Sequence, residues 1–139
     1  MNGRTRRWYA GWFYAAALYN VIWGSFVGLM PRWYGERLGL TDLPLLQAIG
    51  MMVAVFGFGY WLMAREPLRY FGFIWIAILG KTFGPAGFVI SALKGDLPWS
   101  FGWINLTNDL IWLPVFIAFA LRMKLPAAEY DKERLNSRK

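Results

Sequence analysis

The chain contains neither cysteine nor histidine. Without cysteine there is no disulfide, no thiolate chemistry and no cysteine metal site. Without histidine the usual haem ligand and the commonest metal ligand are both missing. Charge is scarce as well: 17% of the 139 residues are charged, where a soluble domain carries roughly a quarter. Acidic side chains are the rarer sign, and the formal net charge is +7. The basic residues flank apolar segments instead of forming one stripe, a pattern that sets membrane topology and does not make a nucleic-acid surface.

What fills the chain is apolar. Hydrophobic residues make up 58% of it and aromatics 19%, and the few charges cluster at the ends of long uncharged runs, as in a membrane protein. The expected fold is all-α: an integral membrane antiparallel four-helix bundle with helices near 8–30, 43–64, 69–93 and 99–121. The bundle occupies 1–121, and a polar cytoplasmic tail occupies 122–139. Arg4, Arg6 and Arg7 precede the first run. A basic start of this kind also opens signal peptides, whose apolar core is about 7–15 residues. This run is long enough to span a bilayer, which takes about 20 residues, and it reads as a retained helix.

Within the runs, glycine and proline mark places where backbones meet or bend. Gly24 and Gly28 form a GxxxG pattern, as do Gly80 and Gly84, and such pairs let a neighbouring helix approach closely. Residues 31–42 read as a first loop, with Trp33 and Tyr34 at headgroup level. Asp42 or Thr41 is placed to cap the second helix, and Pro44 suits its first turn. Tyr60 and Trp61 read as the anchor of that helix's far end. Pro85 and Pro114 lack an N–H, so they free the carbonyls of Lys81 and Leu110 and predict bends beside the charges.

Those charges are the centre of the reading. Between 70 and 93 the only one is Lys81, and between 99 and 121 the only one is Asp109, the two standing equally far from Gly95. If the two runs are antiparallel helices joined at that turn, the charges lie at the same depth. A lone charge at a bilayer centre costs about 2.5–3.5 kcal/mol, and an opposite charge at matching depth is the cheapest partner. Asn105, Asn108, Asp109 and Trp112 share one helical face, and Asn20 sits mid-run in the first helix. The candidate site is therefore Lys81, Asp109, Asn108, Asn105 and Asn20. Pro85 and Pro114 supply its kinks, and Trp112, Phe88 and Trp75 its apolar walls.

Four readings of this cluster stay open. It is a structural ion pair that fixes helix register, a proton or ion path, a pocket for a small molecule such as a quinone or lipid, or part of an accessory subunit docked on a larger complex. No nucleophile held by a base and no metal cluster is visible, so catalysis is not the expectation. A faint internal repeat accompanies the cluster: an offset of 61 residues lays Tyr9 on Tyr70, Asn20 on Lys81 and Gln47 on Asn108. Under a repeat, two like-oriented hairpins are related by an axis along the membrane normal.

Orientation follows from the basic residues. The amino tail, second loop and carboxyl tail carry three, two and six Lys or Arg, against two and one in the other loops. With four helices, both termini are expected on the cytoplasmic side of the inner membrane. The expected partners are the lipid bilayer and further copies of the chain or a larger membrane complex.

The stretches 80–88 (GKTFGPAGF) and 108–114 (NDLIWLP) carry a resemblance to small four-helix bacterial inner-membrane proteins, DoxX-like in architecture. The resemblance implies a membrane subunit or helper of quinone-linked or oxidative-stress redox systems, and it transfers no residue roles. The same stretches resemble chains that carry alkyl hydroperoxide reductase names. A chain without cysteine cannot run thiol peroxidase chemistry itself, so that likeness implies either association with such a system or a misapplied name.

Overall fold

The computed structural model describes residues 3–137, and among them every regular element is helical. The elements are α1 (Gly3–Leu29), α2 (Pro31–Leu38), α3 (Leu43–Arg65), α4 (Phe73–Lys94), a 3₁₀ turn (Trp99–Phe101), α5 (Gly102–Asn105), a π-helical segment (Leu106–Leu110) and α6 (Leu113–Asn136). Four stretches are long and apolar enough to cross a membrane: Gly3–Leu29, Leu43–Arg65, Phe73–Lys94 and Trp99–Lys124.

Local chemistry explains most of the boundaries. Asp42 caps α3, its Oδ1 accepting the Leu45 N–H at 3.0 Å, and proline stands in the first turn. α4 ends on Gly95, whose φ of 82° is the left-handed conformation that glycine reaches without a Cβ penalty. Four boundaries differ from expectation. α1 begins at Gly3, so Arg4, Arg6 and Arg7 lie in its first turns and do not precede it. The first loop is not wholly irregular, because Pro31 opens the short helix α2, which ends on left-handed Gly39. α4 begins at Phe73, after a turn in which Tyr70 N–H reaches the Glu66 carbonyl at 3.1 Å. The polar tail continues α6 as far as Asn136.

α1 lies against α3 along most of its length, and glycine permits it. A Cβ on Gly24 would stand 2.5 Å from the Gly50 carbonyl oxygen and the Ala54 nitrogen. One on Gly50 would meet the backbone of Gly28 at the same distance, and one on Gly57 would lie 3.0 Å from the Ala17 carbonyl. These contacts run in opposite chain directions, so α1 and α3 are antiparallel, and the first GxxxG pattern is their seam.

A core of aromatics ties this pair to α4 and α6. Phe13 meets Phe119 edge-on at 4.8 Å, Tyr9 meets Phe119 at 5.2 Å, and Tyr60 meets Phe116 at 5.2 Å. Met63, Ile74 and Met123 complete it, all at 0–1% exposure. This packing gathers the start of α1, the end of α3, the start of α4 and α6. Among the described residues no comparable aromatic core fills the other end.

Candidate functional site

The π-helical segment puts the acidic residue where the basic one can reach it. Ile111 N–H bonds the Leu106 carbonyl, five residues back, at 3.2 Å, and Trp112 N–H returns to the Asp109 carbonyl at 3.2 Å. Widening the helix here rotates Asn108 and Asp109 inward together, and both are buried. Insertions of this kind recur at functional sites.

Lys81 Nζ lies 3.2 Å from Asp109 Oδ1. It also donates to the Asn108 carbonyl oxygen and, at 3.5 Å, to Asn20 Oδ1. An ammonium has three N–H groups, and here each has an oxygen. The carboxylate is held in turn by Asn108 Nδ2, which donates to Asp109 Oδ1 at 2.9 Å. Asn20 is anchored by its own helix, its Nδ2 donating to the Ala16 carbonyl at 2.8 Å. Lys81, Asp109, Asn108, Asn105 and Asn20 are 1–8% exposed, so the structure brings all five expected polar residues inside. Asn105 is the outermost in bonding: its amide donates to the Phe101 carbonyl at 3.5 Å and not to the pair.

The cluster forms the blind end of a cavity of about 560 Å³. α3 supplies one wall through Leu46, Ile49, Met52, Val53 and Phe56, and α4 the other through Gly80, Gly84, Gly87 and Ser91. The cavity runs out to Thr41, Asp42 and Asp96 at the loop end of the molecule. α3 and α4 touch near their connecting turn, where Phe73 packs on Phe56 and Tyr60 at 5.9 and 5.8 Å. Toward the loop end, residues of both helices line the cleft between them. A Cβ on Gly84 would stand 3.0 Å from Asp109 Oδ2, so the absent side chain leaves that oxygen exposed to the cleft.

The expected apolar walls need correction. Phe88 lines the cavity, but Trp112, Trp75, Pro85 and Pro114 are not among its lining residues. Trp112 points toward α1, meeting Trp12 at 6.0 Å and Tyr19 at 5.8 Å, with its indole N–H on the Thr107 carbonyl at 3.0 Å. Trp75 faces outward at 45% exposure. Pro114 stands in the first turn of α6, where a missing N–H costs nothing. The break before it belongs to the π-helical segment. α4 runs uninterrupted through Pro85. Of the residues that the 61-residue offset pairs, Gln47 is exposed and Asn108 buried, so these two occupy unlike positions.

Tyr60 is the site residue that sequence reasoning missed. It is fully buried, it lines the cavity, and Lys81 Nζ lies 5.8 Å from its ring centre. Its hydroxyl and Asn108 Oδ1 are the two buried side-chain polar atoms without a hydrogen-bond partner among the described residues. Gly57 and Gly59, just before it, were the available sign that this turn of α3 packs closely. Among the described residues no group of acidic side chains gathers as a metal site.

No family model, no curated protein and no solved structure matches the chain. The DoxX-like likeness therefore rests on the two stretches named above.

Proposed function

We propose that the chain is a multi-pass inner-membrane protein, an antiparallel four-helix bundle that takes a small amphipathic molecule into its cleft. The polar end of that molecule rests at the Lys81–Asp109 centre. One observation carries the reading: the cleft ends on a buried ion pair beside two polar atoms that the protein leaves unpaired. A pair that only fixed helix register would need neither the space nor the unpaired groups, since buried polar atoms are nearly always satisfied. The volume lies within the usual range for ligand sites, and mostly apolar walls with a few convergent polar groups are their usual composition. The excess of Lys and Arg at both tails puts the termini in the cytoplasm, so the mouth at Asp42 and Asp96 faces the opposite side.

A second reading has its own support. Lys81 is saturated by three oxygens of its own chain, as suits a static pair in a non-catalytic subunit of a membrane redox complex. Extraction in mild detergent followed by mass spectrometry separates the two. The cleft reading expects a bound amphiphile near one per chain, lost in Gly84→Leu, which fills the space over Asp109 Oδ2. Parent protein that carries no amphiphile and co-purifies with larger partners supports the subunit instead.

A further inference from the structure

We infer that the polar end of the occupant is a protonated amine, so that the cleft takes an amphipathic organic cation. This rests on reading the cleft as a ligand site and names the charge and donor chemistry of what enters it.

The oxygens over Gly84 call for a donor. A Cβ built on Gly84 would stand 3.0 Å from Asp109 Oδ2 and 3.9 Å from Asn105 Oδ1. Two acceptors thus converge on the bare backbone of one glycine, and all three residues line the cleft. Asp109 meets Lys81 and Asn108 through Oδ1, and Asn105 donates through Nδ2. That leaves Asp109 Oδ2 and the Asn105 amide oxygen without a donor among the described residues. Neither is sealed as the Tyr60 hydroxyl and Asn108 Oδ1 are, so both are open to the cleft. Lys81 has no N–H to spare for an incoming group, its three being met by Asn20, Asn108 and Asp109. A carboxylate or phosphate resting on Gly84 would face two acceptors; an ammonium donates to both.

Charge makes the donor a cation. The chain as a whole carries a formal +7, with fifteen basic residues against eight acidic ones. Its cleft inverts that balance. Asp42, Asp96 and Asp109 line it, and among the described residues Lys81 is its one basic lining residue. Lys81 offsets Asp109 at the floor, so the carboxylates at the mouth are uncompensated within the cleft. Low-dielectric walls lined by one sign of charge concentrate the counter-ion. A monovalent cation lowers the net charge of the lining, whereas an anion raises it.

The walls suit the same head and an apolar body. Phe56 of α3 stands opposite Gly80, its ring 3.6 Å from where a Cβ would be, and Phe88 lies one turn beyond Gly84. Aromatic faces attract a desolvated ammonium. Leu46, Ile49, Met52 and Val53 line the way out to the mouth and cover the apolar remainder of the molecule.

The test uses the full chain in mild detergent, with four probes of equal tail followed by native mass spectrometry: dodecylamine, dodecyltrimethylammonium, dodecanol and dodecanoate. The expected result is one dodecylamine per chain, retained at least ten-fold better than dodecanol or dodecanoate. Dodecyltrimethylammonium has the charge but no N–H, and should be retained about five-fold less than the amine. Gly84→Ala puts a methyl over Asp109 Oδ2 and should weaken the amine about ten-fold, the scale of a lost charge-assisted hydrogen bond. Asp42→Asn with Asp96→Asn removes the charge of the mouth while keeping an equally good cap on α3. It should weaken the amine about three-fold and reduce the salt dependence of its binding. Equal or better retention of dodecanol or dodecanoate would overturn the cationic assignment and leave the ligand site standing. Equal retention of the trimethylammonium, or an unchanged amine in Gly84→Ala, would overturn the placement of the head on Asp109 and Asn105. An unchanged amine in the double variant would overturn the role of the mouth. Failure of all four probes would overturn the ligand site as well. The ranking of heads is made on the parent protein and does not depend on how any variant folds.

Discussion

The two ends of this molecule are built from the same kinds of residue and packed in opposite ways. Toward the chain termini, Tyr9, Phe13, Tyr60, Met63, Phe116 and Phe119 interlock at 0–2% exposure. Toward Asp42 and Asp96, residues as apolar as these stand apart around open space. The Lys81–Asp109 pair lies on the border between them. The difference shows where binding capacity comes from in an apolar protein. Composition cannot create it, because both ends are rich in large side chains. It comes from three glycines on one face of α4, which leave the cleft wall bare, and from the space between α3 and α4 that the cavity occupies.

The border residue should give the largest effect. Lys81→Met removes the charge that Asp109, Asn20 and the Asn108 carbonyl all face, and leaves their oxygens turned on a thioether. Breaking a buried pair from one side typically costs about 3–5 kcal/mol. Detergent melting and membrane yield should both fall. Lys81→Met combined with Asp109→Leu should regain most of the loss, because no buried charge is then left alone. If the double variant melts as low as the sum of the singles, the pair does not define the border.

The next effect compares the ends directly. Phe116 is fully buried between Phe13 and Tyr60, at 5.4 and 5.2 Å. Phe88, 9% exposed, lines the cleft with Phe101 and Trp99 as neighbours at 6.0 and 5.9 Å. In a bilayer the lost side chain would have been as apolar in lipid as in the core, so the cavity left behind dominates the cost. Phe116→Ala opens a new void and should cost about 3 kcal/mol, whereas Phe88→Ala enlarges an existing one and should cost about 1 kcal/mol. Melting of the delipidated variants measures both. Equal costs would mean that the loop end is as well packed as the other.

How much of this is legible in the sequence depends on polar residues. The four apolar stretches, the Asp42 cap, the glycine seam of α1 and the five polar side chains are readable because each breaks an otherwise uniform pattern. Face assignment for aromatics is not. In a soluble helix, polar residues on the outer face reveal the inner one. Where the outside is lipid, both faces are apolar, and Trp75, Trp112 and Tyr60 carry no mark of direction. Hence Trp75, expected as a cavity wall, is exposed, whereas Tyr60, expected as an interfacial anchor beside Trp61, is buried. Trp61 beside it is exposed, with the Arg65 guanidinium 4.9 Å from its ring. The π-helical segment is equally hidden, because a one-residue widening changes hydrogen bonding without changing residue preference.

The smallest effect should also have the opposite sign. Two tyrosines near the border differ in what their hydroxyls do. Tyr19 donates to Thr107 Oγ1 at 3.0 Å and so links α1 to the π-helical segment, whereas the Tyr60 hydroxyl is buried without a partner among the described residues. Removing a made hydrogen bond loses its net worth, about 1 kcal/mol, so Tyr19→Phe should melt slightly lower. Removing an unmade one relieves a desolvation penalty, so Tyr60→Phe should melt at or above the parent, by up to about 1 kcal/mol. If Tyr60→Phe destabilises the empty protein as much as Tyr19→Phe does, the hydroxyl already has a partner inside the chain, and the border would be as closed as the aromatic end.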